Sequence, residues 1–193
     1  MGDTTTFLRA WLRHPACIGA VAPSSDALAR EMTRDLHLES DDAVLEFGPG
    51  TGPFTARIAP MLADPAQYLG IDREPRFVAL LQRRFGQLRF AAGSAEQAPR
   101  LVREANLRRI RTVICGLPFA SLSNRVQDSV IDSLDRLITS GGEFRTFQYV
   151  HAYGLPAAIR YRRRMAEVFG RHRRSRPILR NIPPAFVLTW NRL

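Results

Sequence analysis

The chain has 193 residues, a mass of 21.7 kDa and a hydrophobic fraction of 45%, enough for one domain with a proper core. Its formal charge is +10, its isoelectric point lies near 11.1, and all 28 basic side chains are arginine. No apolar run approaches the about 18 residues that a bilayer span needs, and Arg9 and Arg13 interrupt what would be the core of a signal peptide. Two cysteines, Cys17 and Cys115, form neither a metal-ligand spacing nor a disulfide framework. The expectation is a protein of a reducing cytosol with no metal site.

Residues 4–13 read as a short amphipathic helix closed by Pro15. Phe7, Leu8, Trp11 and Leu12 form one sector, with Arg9 and Arg13 beside it. Such a helix either lies in an anionic membrane interface or packs on the domain or on a second copy of it. Next, Ala27, Leu28, Met32 and Leu36 recur at helical spacing behind Ser24, Ser25 and Asp26. One serine is the expected N-cap; the alternative is that both hydroxyls close over a ligand.

The stretch around which the chain is organised is Val44-Leu45-Glu46-Phe47-Gly48-Pro49-Gly50-Thr51-Gly52. It reads as a buried strand turning into a helix, with Gly48 and Gly50 letting the main chain approach a ligand closely. A second strand, Tyr68-Leu69-Gly70-Ile71-Asp72, ends in an acid about twenty residues after the loop, the spacing of a βαβ unit whose second acid holds a ribose diol. Strands are expected at 43–47, 67–71, 88–92, 110–115 and 143–149, and helices at 54–62, 75–85, 96–105 and 124–138. This alternation predicts an α/β doubly wound, mostly parallel sheet in a single domain, with residues 1–25 as helix and lid segment and 43–193 as core.

The tail differs: a basic helix at 157–169, a stretch at 175–179, the breaker Asn181-Ile182-Pro183-Pro184 and a last strand at 185–190, which predict a hairpin-like pair at the sheet edge. After Glu143 the only acid is Glu167, while nine arginines crowd residues 160–180. Such a face seeks phosphate, of nucleic acid or of anionic lipid, unless it is simply a solvated helix face.

These residues resemble the class I S-adenosylmethionine-dependent methyltransferases, with their seven-stranded Rossmann-like sheet and terminal antiparallel pair. The resemblance implies S-adenosylmethionine as cofactor, S-adenosylhomocysteine as product, and a cofactor site of Glu46, Gly48, Pro49, Gly50, Thr51, Gly52, Asp72, Arg73, Ser94 and Ala95, with Ser24 and Ser25 closing over it. Ser94 stands where the family often has an aspartate. Cys115-Gly116-Leu117-Pro118-Phe119 leaves the fourth strand where adenine methyltransferases carry Asn or Asp, any residue, Pro and an aromatic. Gly116 removes that side-chain acceptor and is expected to leave space for a tetrahedral amine.

A narrower resemblance is to the soluble bacterial phospholipid N-methyltransferases, carried by Leu12-Arg13-His14-Pro15, Gly19-Ala20-Val21-Ala22-Pro23-Ser24-Ser25, the glycine loop, Gly116-Leu117-Pro118 and Asn181-Ile182-Pro183-Pro184-Ala185. It implies successive methylation of phosphatidylethanolamine toward phosphatidylcholine. It also implies a cytoplasmic enzyme held peripherally on the inner face of the cytoplasmic membrane by Phe7, Leu8, Arg9, Trp11, Leu12 and Arg13, with an anionic phospholipid surface as partner. Tyr149 and His151, with Leu117 and Pro118, are the candidate catalytic group. Phe119 and Tyr153 are candidates to face the methylated cation, and Arg180 to hold the lipid phosphate. The rivals are an RNA adenine dimethyltransferase, favoured by the basic tail, and a non-catalytic cofactor-binding protein on membrane or RNA.

Overall fold

A computed structural model describes residues 24–192 of the chain, so the expected helix at 4–13 lies outside the described residues. The chain forms a seven-stranded sheet with helices on both faces. In chain order its strands are β1 (Ala43–Phe47), β2 (Tyr68–Asp72), β3 (Arg89–Ala92), β4 (Ile110–Cys115), β5 (Ile138–Tyr149), β6 (Arg173–Arg174) and β7 (Ala185–Asn191). Spatially they run β3-β2-β1-β4-β5-β7-β6. The first five are parallel, and β7 runs antiparallel to both β5 and β6, giving the expected edge pair.

Strands β1 and β2 are buried at every position because helices cover both faces, which is why each reads as a nearly unbroken apolar run. The strand order reverses at β1, between β2 and β4, and opens a crevice there at the C-terminal ends of the strands.

Helix α1 (Asp26–Met32) buries Leu28, Ala29 and Met32. The helix after the glycine loop is shorter than expected: α2 (Thr55–Ile58) passes into a 3₁₀ turn at Ala59–Met61 because Pro60 has no amide hydrogen to give. Then come α3 (Pro75–Arg84), α4 (Ala98–Glu104), α5 (Asn124–Leu137) and α6 (Pro156–Phe169). In α6 the buried residues Ala158, Tyr161, Met165 and Phe169 recur every three or four positions, so the arginines between them face outward or sideways.

Two further differences from the sequence reading lie in the second half of the sheet. β5 starts at Ile138 rather than 143, because Ser140, Gly141 and Gly142 continue the strand as an irregularity: Ile110 pairs with Ile138, Thr112 with Glu143. Gly141, at φ 72°, donates its N–H to the Arg192 carbonyl, and Arg192 donates back to Gly142. At the edge, β6 is only Arg173–Arg174. Beyond it Ser175 bonds Val187 through both N–H and hydroxyl, Pro177 offers no donor, and Ile178 makes a single bridge to Ala185.

Candidate active site

The glycine loop is held from beneath. Gly48 donates to the Ile71 carbonyl (2.9 Å), Gly93 to Asp72 (2.9 Å) and Gly116 to Phe47 (2.7 Å), so ladder pairing continues past the strand ends. Gly48 and Gly50 sit at φ 64° and 57°, a region that L side chains rarely adopt. Asp72 is the hinge pin of this arrangement. Its Oδ2 accepts from Gly50 N–H at 2.9 Å and its Oδ1 from Glu74 N–H at 3.0 Å, while burial raises its pKa above the ordinary value. Each oxygen keeps a lone pair for a further donor.

Glu46 is fully buried behind the loop. Its Oε2 accepts from the hydroxyls of Tyr68 (2.6 Å) and Thr55 (2.9 Å), whereas Oε1 has no partner among the described residues. Burial pushes its pKa up to about 7, against the lowering effect of the two hydroxyls. Tyr68 and Thr55 escape the sequence reading, although Thr55 stands one turn beyond Gly52 and Tyr68 opens the partner strand.

A narrow cavity of about 100 Å³ opens at these strand ends. One side is polar, with Asp72, Arg73, Ser94 and Glu96; the other is apolar, with Ile71, Ala95, Leu117, Leu122, Val126 and Val130. An acid beside an apolar slot fits a nucleoside, with the acid at the ribose diol and the slot on the base. The predicted Gly48, Asp72, Arg73, Ser94, Ala95 and Leu117 all line it. The α5 wall of Val126 and Val130 was not anticipated, because only packing shows which helix face covers the crevice. Pro49 and Thr51 contribute main chain: their carbonyls accept from Gly52 N–H and from the Arg84 guanidinium. A larger hollow of about 720 Å³, containing Arg34, Arg111 and Arg192, lies at the opposite, N-terminal end of the parallel strands, away from this chemistry.

Ser25 caps α1 as expected, accepting from Leu28 N–H at 3.1 Å. Other expectations are corrected. Neither Ser25 nor Ser24 lines the cavity. A Cβ on Gly116 would meet the Gly48 carbonyl oxygen at 2.7 Å, so this glycine permits close backbone approach and does not leave space for an amine. Phe119 is 1% exposed and stacks on Tyr161 with ring centroids 4.1 Å apart, which makes it core and not a substrate contact. Tyr153 has a guanidinium, that of Arg162, 3.7 Å from its ring centre, so one face of the ring already holds a cation. Arg160 and Arg164, expected on the basic face, pair instead with Asp128, Asp132 and Glu167.

Tyr149 closes β5, half-buried, and stacks on exposed His151 with centroids 5.6 Å apart and rings within 9° of parallel. Burial raises its phenol above the ordinary value, so it stays protonated at neutral pH. Pro118 is partly exposed beside Leu117 at the neighbouring strand end, and Arg180 is exposed on the β6–β7 loop.

The methyltransferase-domain family model matches residues 44–142, which span β1, the loop, Asp72, the cavity and the start of β5. The chain belongs to this methyltransferase family. Its fold is that of the class I S-adenosylmethionine-dependent enzymes, and S-adenosylmethionine is their methyl donor. The methyltransferase is 27% identical over 147 residues to an ornithine lipid N-methyltransferase from Singulisphaera acidiphila, covering 75% of this chain and 77% of the relative. A TehB-like methyltransferase from Corynebacterium glutamicum shares the fold at a TM-score of 0.63 and 11% identity, covering 98% of each chain. A geranyl diphosphate C-methyltransferase from Streptomyces coelicolor, solved with S-adenosyl-L-homocysteine, matches at 0.64 and 12%, over 87% of this chain and 79% of that one.

Proposed function

We propose that this methyltransferase moves methyl groups from S-adenosylmethionine to the amine headgroup of a membrane lipid, phosphatidylethanolamine first, successively toward phosphatidylcholine. The observation that carries the lipid reading is the surface beyond β5. Leu179 and Ile182 on the β6–β7 loop are 72% and 82% exposed, and Val150, Leu155 and Ile159 are also exposed in the segment after β5. Val150 N–H donates to the Pro184 carbonyl at 2.8 Å, so the two segments adjoin. Arg176 and Arg180 flank Leu179 in sequence, with no acidic partner among the described residues. Apolar tips between arginines suit an anionic bilayer interface. The lipid-amine activity in the name of the 27% identical relative supports the same class of substrate.

In this reading Asp72 holds the ribose hydroxyls, Ile71, Leu117 and Val130 flank the base, Ser94 and Ala95 meet its edge, and the Gly48–Gly52 backbone passes around the methionine part. Arg73 lies at the cavity mouth, and Glu46 supplies negative potential from behind. The cofactor, when bound, supplies a sulfonium methyl, already a strong electrophile. The protein's part is therefore to hold a neutral amine in line and exclude water. Apolar surroundings favour the neutral amine. Leu117 and Pro118 form the floor beneath it, Tyr149 accepts one of its hydrogens, and His151, stacked on the solvent side, passes the released proton to water. Phe7, Leu8, Arg9, Trp11, Leu12 and Arg13 remain the proposed membrane helix, and the inner face of the cytoplasmic membrane the proposed location.

The deciding experiment offers labelled cofactor with vesicles of phosphatidylethanolamine, vesicles of ornithine lipid, or undermethylated ribosomal RNA. Label in phosphatidylethanolamine is the expected result. Label in RNA alone overturns the lipid reading, and product binding without transfer makes the protein non-catalytic. Tyr149→Phe is expected to lower kcat about tenfold, one hydrogen bond's worth, with an unchanged melting temperature. Leu179→Ser with Ile182→Ser is expected to reduce retention on anionic vesicles at least tenfold in a sedimentation assay, since a buried apolar side chain contributes roughly 1.5–3 kcal/mol. Cofactor affinity, read by calorimetry, should stay as in the parent protein.

A further inference from the structure

The arginines of α6 fall into two groups. Where acids are near they pair: Arg160 reaches Asp128 at 2.7 Å and Arg164 reaches Glu167 at 2.9 Å. Arg162, one residue pair along, has no carboxylate. Its guanidinium lies 3.7 Å from the Tyr153 ring centre, and a second guanidinium, Arg174 of β6, lies 5.1 Å from the same ring and 4.6 Å from that of Phe186. Among the described residues no acid meets either cation. Cation–π contacts are worth only about 0.5–2 kcal/mol, a weak return for gathering two like charges at one ring.

A third group meets Arg162. Gln148 is 3% exposed, and its Oε1 accepts from Arg162 Nη1 at 2.6 Å. Its Nε2 is buried without a partner among the described residues, although buried amide donors are nearly always satisfied. His172 completes the cluster through the Tyr153 hydroxyl, 3.4 Å away. Burial and the nearby Arg162, Arg174 and Arg171 lower its pKa, so it stays neutral at pH 7, and burial with Arg174 lowers that of Arg162. Two forked cations, an unmatched amide donor and no counter-charge describe a seat for an oxyanion.

We infer that Arg162 and Arg174, with Gln148 Nε2, bind the oxyanion of a zwitterionic headgroup, a phosphate diester or a carboxylate a few bonds from the reacting amine. Gln148 is the residue before Tyr149, and adjacent strand residues point to opposite faces. A headgroup gripped at one end here and at the other by Tyr149 therefore lies across the end of β5, beside the β4 end that carries Leu117. This seat, not Arg180, is then the phosphate partner; among the described residues Arg180 has no ion pair or cation–π ring contact. The identity of the ligand rests on the proposed lipid activity, whereas the seat itself does not.

The test titrates the full chain with inorganic phosphate at low ionic strength by calorimetry, in the parent, Arg174→Gln, Arg174→Lys and Arg162→Lys proteins. It then measures KM and kcat for phosphatidylethanolamine and for ornithine lipid. Saturable 1:1 phosphate binding is expected in the parent, weakened at least tenfold by Arg174→Gln and largely kept by Arg174→Lys, with cofactor affinity within twofold throughout. KM for lipid should rise about tenfold in Arg174→Gln at nearly constant kcat. A rise for phosphatidylethanolamine alone assigns the seat to phosphate, and a rise for both lipids assigns it to oxyanions generally. Absent phosphate binding, or binding that Arg174→Gln leaves unchanged, overturns the inference. Phosphate binding lost in Arg174→Gln without methylation of either lipid upholds the seat and refutes the lipid activity.

Discussion

Replacing Asp72 by alanine is expected to weaken S-adenosylmethionine binding about a hundredfold, measured by isothermal calorimetry. The carboxylate has two tasks at once. It satisfies Gly50 N–H at 2.9 Å and Glu74 N–H at 3.0 Å, and in the proposed reading it offers its remaining lone pairs to two ribose hydroxyls. Hydrogen bonds to a charged group contribute about 1.5–3 kcal/mol each, and a hundredfold corresponds to about 2.7 kcal/mol. Asp72→Asn should lose less, since one amide still finds an oxygen. Because burial raises the pKa of Asp72, affinity in the parent protein should begin to fall on acidification sooner than an ordinary aspartate would dictate. A folded alanine variant with affinity within threefold of the parent would remove Asp72 from the ribose.

The second large effect runs the other way. Glu46→Gln is expected to stabilise the ligand-free protein by about 2–3 kcal/mol at pH 8. Glu46 is a carboxyl whose pKa in the folded state, about 7, lies above its ordinary 4.5. The folded chain therefore binds this proton more tightly than the unfolded one. Stability from Glu46 is fully present below about pH 4.5, declines as pH rises through the interval to 7, and reaches its lowest level above that. Glutamine imitates the protonated form: its oxygen can replace Oε2 for Tyr68 and Thr55, and its amide takes the place of the unpartnered Oε1, where its N–H groups find no acceptor among the described residues and so take back part of the gain. Melting curves of the two proteins should thus differ at pH 8 and converge near pH 5. The variant should also bind S-adenosylmethionine more weakly, because the negative potential behind the glycine loop favours a ligand carrying a sulfonium and an ammonium. A variant less stable than the parent at pH 8 would show that Glu46 is not under this strain.

The parts legible in the sequence were those in which local chemistry decides the outcome. β1 and β4 begin and end as read, since an apolar run broken by glycine leaves little choice. Asp72 was legible because an acid at the end of an otherwise buried strand has few other reasons to be there. Gly141 and Gly142 misled, because the same pair that usually breaks an element here continues β5 against Arg192. Aromatic roles were not legible: Phe119 follows Leu117 and Pro118 as a substrate contact would, but Tyr161, on a helix 42 residues later, stacks on it. Likewise the arginines looked alike until α5 supplied acids to Arg160 and Arg164 and left Arg162 beside Arg174. Spacing along one helix cannot show which charges a second helix neutralises.

The hydrogen bond from Ser25 N–H to Asn181 Oδ1, 2.9 Å long, joins positions 156 residues apart. Asn181 is 2% exposed and also grips the Pro183 carbonyl, so the loop that presents Ile182 is tied to the residue that caps α1. A pull on the Ile182 loop is therefore passed to the start of α1 through one hydrogen bond between distant parts of the chain. Severing it by Asn181→Ala would leave Ile182 exposed but uncouple its loop from that helix.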